Sequence, residues 1–166
     1  MDYAAARPLI RSGDLLAWTH HGWRSWYDIK IQIVRLWQRS EYAHIGTAFV
    51  MGGRVWVIEA VTPHPRIIPL SNALPFYWVP LGAPWSAATE TQALSIIGKE
   101  RAVYSQVEAI RGALGTLQPG TDDLWQCAEL AWCIAKWDGI ELGNDITPSG
   151  LVEAALEMGA RVALVR

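Results

Sequence analysis

Cysteine is nearly absent from this sequence: its 166 residues contain only Cys127 and Cys133. Two cysteines six apart exclude a disulfide framework, and the spacing matches no common zinc pattern. They read as free thiols of a reducing compartment. Basic runs are missing as well. Fourteen Lys and Arg stand against sixteen Asp and Glu, for a net charge of −2. Phosphate backbones need a dense cationic face, so nucleic acid is excluded as a partner. No apolar run reaches spanning length, which argues against stable membrane insertion. The opening "MDYAAARPLIRSGD" lacks the apolar core of a signal peptide, so the expectation is a soluble chain made in the cytoplasm. There is no G-x-S-x-G elbow, no G-x-x-x-x-G-K-[ST] loop and no H-E-x-x-H pair. No cluster offers three metal ligands in workable geometry, so neither a metal nor another cofactor is expected.

What is present points to a folded α+β chain. Hydrophobic residues make up 51% and charged residues 18%, with ten tryptophans, a balance that suits one globular domain over 1–166. "GDLLAW" (13–18) reads as a short buried strand. Residues 23–39 have helical period, with Trp26, Ile29, Ile33, Leu36 and Trp37 on one face and Arg24, Asp28, Gln32, Arg35 and Arg39 opposite. Two strands split by Gly52-Gly53 follow, then "RIIPL" and "FYWVPL", whose prolines push both toward a sheet edge. Helical patterns begin near residue 87, through "SAATETQALSIIGKE" and "AVYSQVEAIRGAL". After the breaker "QPGTDD" comes "LWQCAELAWCIAKW", which stops at Gly139. "TPSGLVEAALEMG" is a further helix with proline near its start, and "RVALV" a closing strand. No repeat or linker divides the chain. An antiparallel sheet packed against helices is the expected architecture.

The stretch "SEYAHIGTAFVMGGRVWVIEAV" (40–61) carries the first chemistry. With Gly52-Gly53 as a two-residue turn, Met51 pairs with Arg54, Val50 with Val55, Ala48 with Val57, Gly46 with Glu59 and His44 with Val61. Alternation then puts His44, Gly46 and Glu59 on one face, the imidazole and carboxylate as diagonal neighbours within reach of each other. Gly46 leaves room for the ring to lean across. A carboxylate on one ring nitrogen fixes the tautomer and leaves the other to take a proton, as a general base requires. The plainer reading is a buried structural pair. His20 and His21, adjacent in sequence, cannot share a face, and His64 between two prolines reads as a loop residue.

A base needs a nucleophile. In "DDLWQC", Asp123 reads as an N-cap with Gln126 three residues on, close to a capping box. Cys127 then falls in the first turn of a helix, whose free N–H groups and dipole favour a thiolate. Asp122 and Asp123 push the other way, and an inert buried thiol is the plainer reading, one that suits Cys133 better. The expectation is that Cys127, with His44 between it and Glu59, is the reactive thiol, and that His44 and Glu59 lie on the face that meets it.

"SGDLLAW", "SEYAHIGTAFV", "VWVIEAV", "WQCAELAWCIAKWDGI" and "TPSGL", taken in order, resemble the circularly permuted branch of the NlpC/p60 papain-like superfamily, with YiiX-like proteins the nearest subgroup. Residues 19–39 stand apart as a variable amphipathic insertion. The resemblance implies a permuted papain-like fold and a catalytic set of His44, Glu59 and Cys127, in the order His, Glu, Cys. It also suggests Tyr104 as an aid to the oxyanion site, although "RAVYSQVE" matches poorly. Gln126, next to the nucleophile, is the other candidate for an oxyanion or substrate-binding role. The implied activity is a cysteine hydrolase attacking an amide, a peptide link of cell-wall-like material. Two other readings remain at this level. One is a lipid or thioester acyl hydrolase or acyltransferase of the lecithin:retinol acyltransferase-like type; the other is a non-catalytic glycan- or peptide-binding module. A cell-wall enzyme made without an export signal would have to leave by lysis, in a phage particle or through a secretion machine.

Overall fold

Gly52 and Gly53 both adopt positive φ, 59° and 73°, as a two-residue type I′ hairpin turn requires. In the computed structural model, which describes residues 1–19, 41–61, 64–82, 85–97, 103–104 and 124–166, this turn joins β2 (His44–Met51) to β3 (Arg54–Glu59). Their register runs from Met51↔Arg54 through Val50↔Val55 and Ala48↔Val57 to Thr47↔Ile58. That is the expected pairing as far as it extends. It stops there: His44 pairs with Trp18 of β1 (Leu15–Trp18) instead of with Val61 on the other side.

β4 (Arg66–Pro69) and β5 (Phe76–Val79) follow, then helix α2 (Ala87–Ile97) after the short N-terminal α1 (Tyr3–Ala6). β6 (Val103–Tyr104) and β7 (Leu124–Trp125) form a small parallel pair of their own. Helices α3 (Cys127–Trp137) and α4 (Pro148–Glu157) and strand β8 (Ala163–Val165) complete the described residues. The main sheet is antiparallel, in the order β4-β3-β2-β1-β5-β8. β4 lies at an edge, as its proline suggested. β5 does not: it is flanked by β1 and β8, because Pro80 follows the strand and costs it no ladder bond. Val103 and Tyr104, expected within a helix, are extended. The amphipathic helix of 23–39, and with it all but Thr19 of the 19–39 insertion, lies outside the described residues.

One face of the sheet carries α2, α3 and α4. Leu15, Ala17, Ile45 and Val79 pack with Ala128, Ala131 and Ala135 of α3 and with Leu151, Val152 and Ala155 of α4. Phe49, Ile58 and Ala60 meet Leu130 and Ile134 of α3 and Ala93 and Ile96 of α2. The opposite face joins Leu16, Ala48, Val55, Val57, Phe76 and Trp78 to Ala6 and Ile10. Both cores are apolar, and their burial is the main stabilising term of the fold. One buried charge is fully occupied. Asp14 accepts from the Arg11 and Leu81 N–H groups and from Trp78 Nε1, tying the start of β1 to β5. Thr147 caps α4 by accepting from Gly150 N–H, with Pro148 in the first turn.

Candidate active site

Strand parity fixes two members of the site. His44, Gly46, Ala48, Val57 and Glu59 share the sheet face opposite α3, since Ile45, Phe49 and Ile58 are the residues that meet that helix. The body of α3 therefore covers the other face, although His44 meets Cys127, its first residue, and Glu59 as expected. The thiol reaches them by another route. Ala48 N–H donates to the Asp14 carbonyl of the β1 segment, so even-numbered residues of β2 address β1 and odd-numbered ones address β3. The β2–β3 ladder ends at Thr47↔Ile58, one step before Ile45 N–H would find a partner on β3. That N–H donates to the Cys127 sulfur instead. The sulfur thus sits at the split between the two strands, at the rim of the sheet, where an imidazole from the other face can meet it.

Gly46 is crowded from the β3 side. A Cβ there would lie 2.8 Å from Val57 Cγ2, 2.9 Å from the Ile58 carbonyl oxygen and 3.3 Å from Glu59 Cβ. The nearest atoms are those of β3 itself. The glycine lets the strands approach closely enough for Glu59 to reach the ring.

The ring and carboxylate are in direct contact, His44 Nε2 to Glu59 Oε2 at 2.6 Å. Glu59 is 5% exposed and His44 27%. With Nε2 engaged, Nδ1 is left for Cys127, whose sulfur forms a hydrogen bond with the ring. Sequence reasoning missed two neighbours. Arg66, cross-strand partner of Glu59 on β4, places Nε 2.8 Å and Nη2 2.7 Å from Glu59 Oε1. Trp18, cross-strand partner of His44 on β1, lies tilted against the imidazole, ring centroids 5.5 Å apart, while its Nε1 donates to the Ala73 carbonyl. An indole face against an imidazolium is a favourable contact. Neither residue could be found without the β1–β2 and β3–β4 registers, which the Gly52-Gly53 turn does not set.

Cys127 opens α3 directly. Its N-cap is Gln126, with extended φ −108° and ψ 163° and no side-chain capping bond. The capping box on Asp123 is corrected accordingly: Leu124 and Trp125 are held extended by pairing with Val103 and Tyr104, which delays the helix. The first-turn N–H groups therefore lack a side-chain cap, and one of them, Ala128 N–H, donates to the sulfur. The backbone of Tyr104 lies beside Trp125, two residues before Cys127. Gln126 is 5% exposed, and its Nε2 has no partner among the described residues.

The electrostatics follow from these contacts. Burial works against ionising the Cys127 thiol, but the His44 hydrogen bond and charge, with the Ile45 and Ala128 N–H groups, bring it below the ordinary thiol value. Burial likewise opposes the imidazolium, but Cys127 and Glu59 outweigh it and push His44 up to about 10. Glu59 falls below the usual carboxylate range against its own burial, through His44 and then Arg66. Both shifts favour the thiolate–imidazolium form of the pair. Cys133 is the opposite: burial, then the neighbouring Glu129 carboxylate, push its thiol up to about 12.

No protein-family model and no curated protein matches the chain. Among solved structures it is similar to the crystal structure of the metalloprotein YiiX from Escherichia coli O157:H7. The TM-score is 0.58 over 81% of this chain and 69% of that one, at 17% identity. At that identity the likeness establishes architecture alone: an α+β, YiiX-like fold. Among the described residues no helix is long and apolar enough to cross a membrane.

Proposed function

We propose that this chain is a cysteine hydrolase that cleaves an amide, a peptide link in cell-wall-like material, through Cys127, His44 and Glu59. The observation that carries the reading is the unbroken chain of contacts from sulfur to imidazole to carboxylate, with the thiol depressed and the imidazole raised. The thiolate attacks the carbonyl carbon, and His44 hands its proton to the leaving amine. Water, deprotonated by the neutral His44, then releases the acyl group and restores the thiol. The Cys127 N–H and the unpartnered Gln126 Nε2 are suited to the oxyanion or to the substrate carbonyl. Tyr104 remains a second candidate for that role.

The reading includes a circularly permuted papain-like topology. Its support is the chain order of the site: the histidine strand β2 and the carboxylate strand β3 precede the cysteine helix α3. The structural neighbour is described as a metalloprotein, and the residues here do not fit that role. His44 stands between Cys127 and Glu59 with both nitrogens engaged, so the three donors form a line and do not converge. Among the described residues no three His, Cys, Asp or Glu side chains are grouped to hold a metal ion.

Incubating the purified protein with murein fragments and with acyl esters, with mass detection of products, tests the proposal. Amide cleavage that is lost in Cys127→Ser supports it. Turnover of acyl esters alone would move the assignment to acyl transfer, and binding without turnover would make the chain a recognition module.

A further inference from the structure

Glu59 is a carboxylate with divided duties. Its two oxygens face different partners: Oε2 meets His44 Nε2 at 2.6 Å, while Oε1 accepts from both Nε and Nη2 of Arg66, at 2.8 and 2.7 Å. The β3–β4 ladder sets this up, since Glu59 and Arg66 are directly opposite and so on one face. The result is a row of four groups of alternating sign: thiolate, imidazolium, carboxylate, guanidinium. With Arg66 the row sums to zero; without it a net negative charge would be left on a carboxylate only 5% exposed. A buried excess of that kind is relieved by taking up a proton.

We propose that Arg66 is a positioning residue of this site: it anchors Glu59 Oε1 so that Oε2 addresses His44 alone, and it sets the acid edge of the pH range in which Cys127 is reactive. The proposal rests on the reading of Cys127, His44 and Glu59 as nucleophile, base and orienting carboxylate. Among the described residues, the charged groups facing Glu59 are the imidazole from β2 and the guanidinium from β4, with the Cys127 thiol of α3 beyond the ring. The short 3-10 turn Leu70–Asn72, packed against β3, brings no ionisable side chain. Two donors on one oxygen also fix how the carboxyl plane is turned, which a single ammonium does less well. Arg66 is 53% exposed, so solvent screens its charge and the expected effect is moderate.

The test is the rate at which iodoacetamide modifies Cys127 in the full chain, followed site by site by mass spectrometry across about pH 4 to 9. In Arg66→Gln the acid limb should move up by roughly half to one pH unit, a fraction of what a fully buried ion pair would give. Arg66→Lys should bring the limb back toward wild type. A limb that stays in place in Arg66→Gln, or moves equally in Arg66→Lys, overturns the proposal and makes Arg66 a tie between strands. Should Arg66→Gln fail to fold, wild type in about 1 M salt gives the same readout: screening of an exposed guanidinium should move the limb upward, and an unmoved limb counts against the role. His44→Ala separates the two levels. If it leaves the neutral-pH rate of Cys127 unchanged, the base reading fails and the Arg66 role fails with it. If the rate drops while the Arg66 variants keep the wild-type limb, only the Arg66 role is lost.

Discussion

At the start of α3, the Cys127 sulfur receives N–H groups from Ile45 and Ala128 and faces the His44 ring. Less than two turns further on, Cys133 is 6% exposed, packed in the helix interior with the Glu129 carboxylate beside it. The residue type and the helix are the same, yet one thiol is pulled down and the other pushed up to about 12. Both are buried enough for desolvation to oppose the thiolate. The difference lies in the partners. Cys127 meets a cation and two backbone donors; Cys133 meets an anion, with Lys136 a smaller counterweight. Burial alone does not make a thiol inert, and a helix does not make one reactive. What matters is what faces the sulfur: the His44 ring first, and then the backbone donors left over nearby.

The largest effect should separate the two cysteines outright. Cys127→Ser is expected to lower turnover by about 10⁴-fold or more and to abolish labelling by a small electrophile. Cys133→Ser should leave turnover within about twofold of wild type, since it touches no reacting atom. Labelling that survives in Cys127→Ser and vanishes in Cys133→Ser would invert the comparison.

Next come the partners that make Cys127 different. His44→Ala should lower turnover by about 10²- to 10⁴-fold and slow Cys127 labelling near neutral pH, leaving a thiol closer in character to Cys133. Glu59→Gln should keep the fold, but its effect depends on Arg66. The guanidinium offers only donors to the position of Oε1, so it should turn the amide oxygen toward itself and the amide NH2 toward His44. The ring would then accept at Nε2 and carry its proton on Nδ1, the wrong tautomer for taking a proton from sulfur, with a loss of about 10³- to 10⁴-fold. Adding Arg66→Ala frees the amide to flip and should restore part of the rate. A double variant slower than Glu59→Gln alone would contradict this account of the tautomer.

Much of this site was legible in the sequence because its geometry is local. Gly52-Gly53 fixes a turn, the turn fixes the register, and the register brings His44 and Glu59 together. The same logic gave β1, β4, α4 and β8. It could not say which sheet face the body of α3 would cover, because that depends on packing of residues some 80 positions away. The Asp123 cap failed for a related reason: a two-residue pairing with Val103 and Tyr104 overrode a local helix signal. Arg66 and Trp18 were invisible because each enters through a ladder to another strand, and β5 turned out interior because β8 returns to pair with it.

A smaller effect is expected from Gly46→Ala. The new methyl would press on Val57 and the Ile58 carbonyl and crowd Glu59 Cβ, at a cost of about 1–3 kcal/mol in stability. Chemical denaturation measures it. By moving Glu59 away from His44 the substitution should also raise the Cys127 thiol toward the behaviour of Cys133, seen as slower labelling at neutral pH. A stability loss with no change in labelling would mean that the close approach of β2 and β3 serves packing alone.

The smallest effect is a change of shape in the dependence of stability on pH. His44 is raised from 6.5 to about 10 on folding. Its stabilising contribution is complete below pH 6.5 and is lost as pH rises through about 10. Cys127 is lowered from 9.0, so its contribution is complete above pH 9.0 and is lost as pH falls through the depressed folded value. Between 6.5 and 9.0 the two trends cancel. In its thiolate–imidazolium form the folded pair holds one proton, on the ring, and the unfolded pair also holds one, on the sulfur. Below 6.5 the unfolded chain binds the extra proton, and above 9.0 the folded chain does, so the pair's contribution falls on both sides. Cys133 gives no such plateau: raised to about 12, its contribution is constant below 9.0 and is lost as pH rises from there through about 12. Subtracting the urea-unfolding free energy of Cys127→Ser from that of wild type removes the contributions of the other groups. The difference should grow as pH rises toward and through 6.5 and shrink again above 9.0. The same subtraction for Cys133→Ser should be flat through neutrality. A flat difference for Cys127→Ser over that range would mean that its thiol rests protonated, and that the two cysteines differ in exposure but not in charge.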